Sequence, residues 1–197
     1  MKVITKIGRQ KNNPERYNIY LNDEYAFAVD ESTLIKFGLM KGKTLEQFDI
    51  DEIAYEDEIA KAFNKALHFL SYQMRSEYEV KKKLLDAGHG EAVVLEAIRK
   101  LENLGFLNDA TYSKALLETK KRTMKKGPRA IRQDLKKKGI DKSLQDEVLE
   151  TFTYEEQLDI AMQLAEKEVR AGNRKTPTQV KQKIQDVLMR KGYSFSI

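Results

Sequence analysis

The chain has 197 residues, 41% of them hydrophobic and 34% charged, with 36 Lys and Arg against 31 Asp and Glu. That is enough apolar material for folded domains, and no run of about 18 apolar residues or signal-like core is present, so neither disorder nor a membrane span is expected. There is no cysteine and only two histidines, His68 and His89, which removes disulfides, thiolate metal sites and a cysteine nucleophile; a cytoplasmic binding protein that needs no cofactor, rather than an enzyme, is the expected class.

The first fifty residues differ from the rest. Residues 3–7 are strand-like, ended by Gly8, and residues 17–21 and 25–29 alternate on either side of Asn22-Asp23, an Asx pair suited to a hairpin turn. Asp30-Glu31-Ser32 then starts a short helix through Phe37, stopped by Gly38. On the hairpin, Tyr17, Ile19 and Leu21 share one face and Tyr20 takes the other, so core packing is a better reading of these aromatics than a base-stacking platform.

Gly42-Lys43-Thr44 invites comparison with a phosphate-binding loop, but that motif needs a glycine at residue 37, which is Phe. The carboxylates Asp49, Asp51, Glu52, Glu56, Asp57 and Glu58 read as a linker and a helix start, where acids favour the helix dipole, rather than as a catalytic pair. His68 beside a core stripe and His89 after Gly88 lack partners for a metal site.

Beyond Glu52 the pattern is helical, and it repeats. Leu84 and Gly88, Leu135 and Gly139, Leu188 and Gly192 keep one offset, with Val80, Ile131 and Ile184 four residues before each leucine. The glycines lie 51 and 53 residues apart, a period that marks a repeat architecture. Helices are expected at about 55–72, 77–87 and 91–104, then 109–125, 128–138 and 142–151, then 154–171 and 177–191. Ser76 with Glu79, Thr153 with Glu156, and Thr176-Pro177 with Gln179 mark helix starts.

The expected fold is therefore mainly α: tandem three-helix repeats in an elongated, curved array, preceded by a small β-hairpin/α module. The division is 1–53 for the β-rich module, 54–107 for repeat 1, 108–152 for repeat 2 and 153–197 for repeat 3. The last residues, from Gly192 to Ile197, read as the lead into a helix that is not reached. On this reading repeat 3 lacks its last helix, the chain is a truncated form, and Ile184, Val187 and Leu188 are exposed unless they repack or dimerise.

The positive charge is concentrated. Residues 108–152 carry 12 basic and 7 acidic side chains, and the ten cations between Lys120 and Lys138 face only Asp134 within that stretch. A solvated helix surface is the bland reading, but no Glu interleaves at helical spacing, which favours a patch facing a partner. Arg122, Lys125, Lys126 and Arg129 would gather about the Gly127-Pro128 turn, and Arg132 and Lys136 would follow along one side of the next helix. A phosphate backbone or an acidic protein groove would suit them.

Arg75-Ser76-x-x-Glu79-Val80-x-x-x-Leu84, followed by Leu101-x-x-x-Gly105-Phe106-Leu107-Asn108-Asp109, resembles the first repeat of the RecX regulatory family. Gly127-Pro128-x-x-Ile131-x-x-x-Leu135-x-x-Lys138-Gly139-Ile140 resembles the second, and Lys191-Gly192-Tyr193-Ser194 the third, with Tyr193 in place of the more usual phenylalanine. The resemblance implies tandem three-helix repeats that bind the RecA recombinase and its nucleoprotein filament. It further implies inhibition of strand exchange, ATP hydrolysis and the co-protease activity of the SOS response, with single- or double-stranded DNA as a further partner. The β module is similar to an extension found in longer members. A monomer is expected, and the alternative function is a sequence-independent DNA- or RNA-binding helical module.

Overall fold

The computed structural model describes residues 1–171 and 176–197, which form two compact units: residues 1–73 with 80–107, and residues 74–79 with 108–197. Among the described residues there are nine helices and four short strands.

In the first unit β1 (Lys2–Arg9), β2 (Arg16–Leu21), β3 (Glu24–Asp30) and β4 (Thr44–Leu45) make an antiparallel sheet in the order β3-β2-β1-β4. Asn22 and Asp23 both take positive φ, at 50° and 68°, as a tight hairpin turn with the twist of its strands requires. Asp30 caps α1 (Glu31–Lys36) by accepting the Thr33 N–H at 2.8 Å. The inner face of the sheet buries Ile4, Ile19, Leu21 and Val29 against Leu39, Leu45 and Ile53. On the outer face Tyr20 and Tyr25 meet edge to face at 6.0 Å.

Ile53 belongs to α2 (Gln47–Tyr72), which begins eight residues earlier than its periodicity indicates. The cause is local: the Asp49 carboxylate accepts the Glu46 N–H at 2.7 Å and closes a capping box. The acidic cluster is thus the first turns of one long helix, not a linker. Asp57, buried in that helix, accepts from Arg16 at 2.9 Å and from the Asp30 N–H at 3.0 Å, fastening the sheet to the helix. Further along, Ala62 and Ala66 of α2 pack with Val80 and Leu84 of α3 (Glu77–Asp86) and with Val94, Ile98 and Leu101 of α4 (Glu91–Asn103).

The second unit takes in residues 74–79, which include the first turn of α3. It adds α5 (Asp109–Met124), α6 (Pro128–Lys137), α7 (Lys142–Glu150), α8 (Tyr154–Ala171) and α9 (Pro177–Lys191). Tyr112, Leu117, Ile131, Leu135, Ile140, Val148 and Phe152 form its main core. Ala161, Leu164 and Tyr193 form a smaller one, with Leu188 and Ile197 packed against it. Val187 is buried, and Ile184 and Leu188 are partly covered, Leu188 against the cluster that holds Tyr193. A groove of about 640 Å³ remains beside α9, lined by Val180, Ile184, Leu188, Phe195 and Ile197.

The leucine–glycine offset has a hydrogen-bonding cause. The N–H after each glycine reaches the carbonyl of the leucine: His89 to Leu84 at 3.3 Å, Ile140 to Leu135 at 3.2 Å, Tyr193 to Leu188 at 3.0 Å. This is the Schellman closure of a helix, which needs a left-handed residue, and Gly88, Gly139 and Gly192 have φ of 89°, 75° and 92°.

Two of these ends also dock on the helix start one repeat earlier. The Ser76 hydroxyl donates to the Lys138 carbonyl at 2.6 Å, and the Gly127 N–H donates to the Lys191 carbonyl at 2.8 Å. The Arg129 N–H adds a bond to the Gly192 carbonyl at 3.1 Å. A Cβ on Gly139 would overlap the Tyr78 side chain, and one on Gly192 would sit 2.6 Å from the Ala130 Cβ, whereas one on Gly88 meets nothing.

Gly88→Ala should therefore cost only the left-handed strain, about 1–2 kcal/mol. Gly192→Ala should cost about 3 kcal/mol or more, because backbone must also move. Amide hydrogen exchange over residues 127–131 checks this: faster exchange in Gly192→Ala with little change in Gly88→Ala is expected, and equal behaviour would remove the docking argument.

Candidate interaction surface of the second repeat

The ten cations between Lys120 and Lys138 lie on α5, on α6, in the turn between them and, for Lys138, at the C-cap of α6, and the fold treats them unequally. Lys121 is buried, its ammonium 2.7 Å from Glu118 and 3.1 Å from Glu156, and it stands 5.0 Å from the Phe152 ring centre. Burial works against its charge, but the two carboxylates outweigh that and hold its pKa above the ordinary lysine value. Lys126 and Lys120 share Asp134, at 2.6 and 3.7 Å. Arg122 reaches Glu118 at 3.6 Å, Arg132 pairs with Asp146, and Lys138 reaches Glu79 at 2.5 Å.

The expectation of an unpaired run thus needs correction. Glu79, Asp146 and Glu156 come from α3, α7 and α8, so the compensating acids are distant in sequence and adjacent only after the helices pack. Glu118 does lie at helical spacing, three and four residues before Lys121 and Arg122.

What remains without an acidic partner among the described residues is Lys125, Arg129, Lys136 and Lys137. Lys125 is the left-handed cap of α5 at φ 52°, and its ammonium donates to the Gln163 side chain at 2.6 Å. Arg129, Lys136 and Lys137 are exposed on α6. Arg132, exposed as well, has only a surface ion pair to give up, worth at most about 1 kcal/mol. Arg129, Arg132 and Lys136 are therefore the cations of the expected set most free to meet a partner. Lys126 is half-buried against Asp134, and Arg122 bonds back to its own helix.

Lys142 was not among the expected residues. It is the first residue of α7, four positions beyond the end of the run, and the α6–α7 turn returns it beside Arg132 and Lys136. The three cations, with Gln133, Gln145 and Ile140, line a cleft of about 520 Å³. Lys142 is one of the 12 basic residues of 108–152 but falls outside the Lys120–Lys138 run, with Asp141 before it; Asp141, however, turns to cap α7, accepting the Leu144 N–H at 3.0 Å.

On another side of the unit Glu79 ties α3, α5 and α6 together. Burial alone would raise its pKa, but bonds from Lys138, from the Ser76 N–H and from the Tyr112 hydroxyl prevail and lower it. Burial, with Glu79 beside it, pushes the Tyr112 phenol up to about 12. Because the folded pKa of Glu79 lies below the ordinary 4.5, its charge stabilises the fold above that pH, and the contribution is lost as pH falls through the folded value. Glu79→Gln should destabilise this unit by about 1–2 kcal/mol at neutral pH. Urea melts of both proteins from pH 7 downward should show the gap closing below the ordinary glutamate value; a gap independent of pH would contradict the pairing.

Both histidines are accounted for locally: His68 bonds the Tyr72 hydroxyl at 3.1 Å, and His89 lies 3.9 Å from Glu58. Among the described residues no group of three or more His, Asp or Glu is placed to hold a metal ion, and no helix is long and apolar enough to cross a membrane.

Family models match along the chain in the same order as the structural parts. The regulatory protein RecX N-terminal domain matches residues 2–46, and the first, second and third RecX three-helix domains match residues 62–101, 108–149 and 155–197. The chain belongs to the RecX family. Regulatory protein RecX of Bacillus subtilis is 43% identical over 197 residues, covering all of this chain and 75% of that protein. The Listeria innocua RecX is 37% identical over 194 residues, covering 98% of this chain and 72% of that one. A crystal structure of regulatory protein RecX superposes with a TM-score of 0.85 at 41% identity, over all of this chain and 96% of that chain. A second, from Lactobacillus salivarius, gives 0.68 at 35% identity, over 72% of this chain and 92% of that chain. The fold of this RecX family member is thus mainly helical, with a small strand module followed by matches to three tandem RecX three-helix domains, the third of which holds α8 and α9 among the described residues.

Proposed function

We propose that this chain is a non-enzymatic regulator that binds the RecA recombinase in the cytoplasm, chiefly as its nucleoprotein filament. It lowers strand exchange, ATP hydrolysis and the co-protease activity of the SOS response. The observation that carries the reading is the end-to-end match to all four RecX domains, reinforced by identity to named regulatory proteins over the whole chain. The cations that the fold leaves exposed on α6 supply the physical means: they suit the phosphates and carboxylates of a nucleoprotein filament.

The second reading, a nucleic-acid module with no preference for the recombinase, draws on the same cations. The two diverge in what they inhibit. Titrated into RecA filaments preformed on single-stranded DNA, the chain should suppress ATP hydrolysis at concentrations that barely coat bare DNA. Arg129→Glu combined with Lys136→Glu, two exposed changes on α6, should raise the concentration needed by about tenfold or more. Strong bare-DNA binding with hydrolysis untouched would favour the generic module instead.

A further inference from the structure

In the first unit a trough of about 450 Å³ lies between α2 and α4. Its apolar lining comes from Ala60 and Phe63 of α2 and from Leu104, the residue that caps α4. Ala60 is buried and Phe63 half-buried, whereas Leu104 stays 62% exposed. The polar lining is Asn64 of α2, Asn103 and Lys100 of α4, and Ser32 of α1, whose hydroxyl donates to Asp30 at 3.0 Å. Neither the Asn64 nor the Asn103 carboxamide has a hydrogen-bond partner among the described residues. Lys100 and Lys36 both reach Glu56, at 2.5 and 2.8 Å. Burial alone would raise the Glu56 pKa, but the two ammonium groups outweigh it and lower it, so the carboxylate stays charged. Two cations on one carboxylate leave one positive charge over.

These features select a ligand. An apolar floor with a leucine open to solvent takes an aliphatic side chain, the kind of anchor from which recognition sites draw their affinity. A carboxamide presents an N–H donor and a carbonyl acceptor side by side, which is the complement of a peptide unit. Two of them, on adjacent helices, can hold an extended backbone. The surplus charge then favours a carboxylate close to the anchor. A nucleic-acid strand is a poor match, because its phosphates would meet one surplus cation among amides and apolar groups. A second copy of the chain would need about 800 Å² on each side, more than this trough presents.

We propose that the α2–α4 trough binds an extended peptide segment of a protein partner. An aliphatic side chain of that segment lies against Ala60, Phe63 and Leu104, and its backbone is held by Asn64 and Asn103. An acidic residue beside the anchor is drawn by the charge that Lys36 and Lys100 leave over. The proposal goes beyond the regulatory reading and uses none of the cations of the second unit.

The test pans a phage-displayed library of random heptapeptides on the immobilised full chain. Recovered sequences are then made as free peptides and titrated by calorimetry against variants whose fold is checked by circular dichroism. They should share a Leu, Ile or Met beside an Asp or Glu. Leu104→Asp should weaken them about tenfold or more, and Asn64→Ala and Asn103→Ala about fivefold each. Lys36→Gln removes the surplus charge from outside the lining; it should cost about threefold at low salt, and nothing for peptides whose acid is replaced by its amide. Arg129→Glu with Lys136→Glu should leave peptide binding at the wild-type value, so failure of the regulatory reading and failure of the trough are separate results. No recovered sequence, or sequences that bind Leu104→Asp and both asparagine variants as they bind wild type, would overturn the proposal. Recovery of basic peptides would overturn it too. Self-association that Leu104→Asp abolishes, with no peptide recovered, would give the trough to a second copy instead.

Discussion

A helix closed by glycine, its last carbonyl seated on the first turn of a helix one repeat earlier, is the contact on which the second unit depends. It occurs twice, at Lys138-Gly139 on residues 76–78 and at Lys191-Gly192 on residues 127–130. Each instance satisfies polar groups that a helix end leaves over: a carbonyl at one terminus, an N–H or hydroxyl at the other. Neither tolerates a Cβ at the glycine. The period that runs through the sequence is therefore a period of docking points, and Gly88, which closes its helix but meets nothing, shows that the two roles are separable.

This explains how much was legible in the sequence. Helix closures read clearly because glycine at Gly88, Gly139 and Gly192 answers to a local backbone requirement. The hairpin read clearly because Asn22 and Asp23 are turn chemistry between alternating strands. The start of α2 did not, since its cap is a glutamate and an aspartate in a cluster that looks like linker. Surface charge was legible as a sum and illegible as a pattern. Lys121 counts as a cation in the sequence and is a buried, doubly paired strut in the fold, while Lys142 stands outside the run and inside the cleft.

Helix packing divides the basic stretch into two populations with different work. Lys120, Lys121, Lys126 and Lys138 meet Asp134, Glu118, Glu156 and Glu79, and hold α5, α6 and their neighbours in register. Arg129, Arg132, Lys136 and Lys142 keep one side of α6 and the start of α7 positive and accessible. A surface built this way carries a field without the full self-repulsion its charge count suggests. It offers contact that is spread out, polar and salt-sensitive, the kind suited to a long polymeric partner engaged at several points.

The most direct measurement is amide hydrogen exchange of the whole chain, alone and bound to RecA filaments on single-stranded DNA. The account predicts new protection across α6 and the first turn of α7, from Arg129 to Lys142. Protection confined to the N-terminal strands or to α8 and α9, with α6 and α7 exchanging as in the free chain, would contradict it.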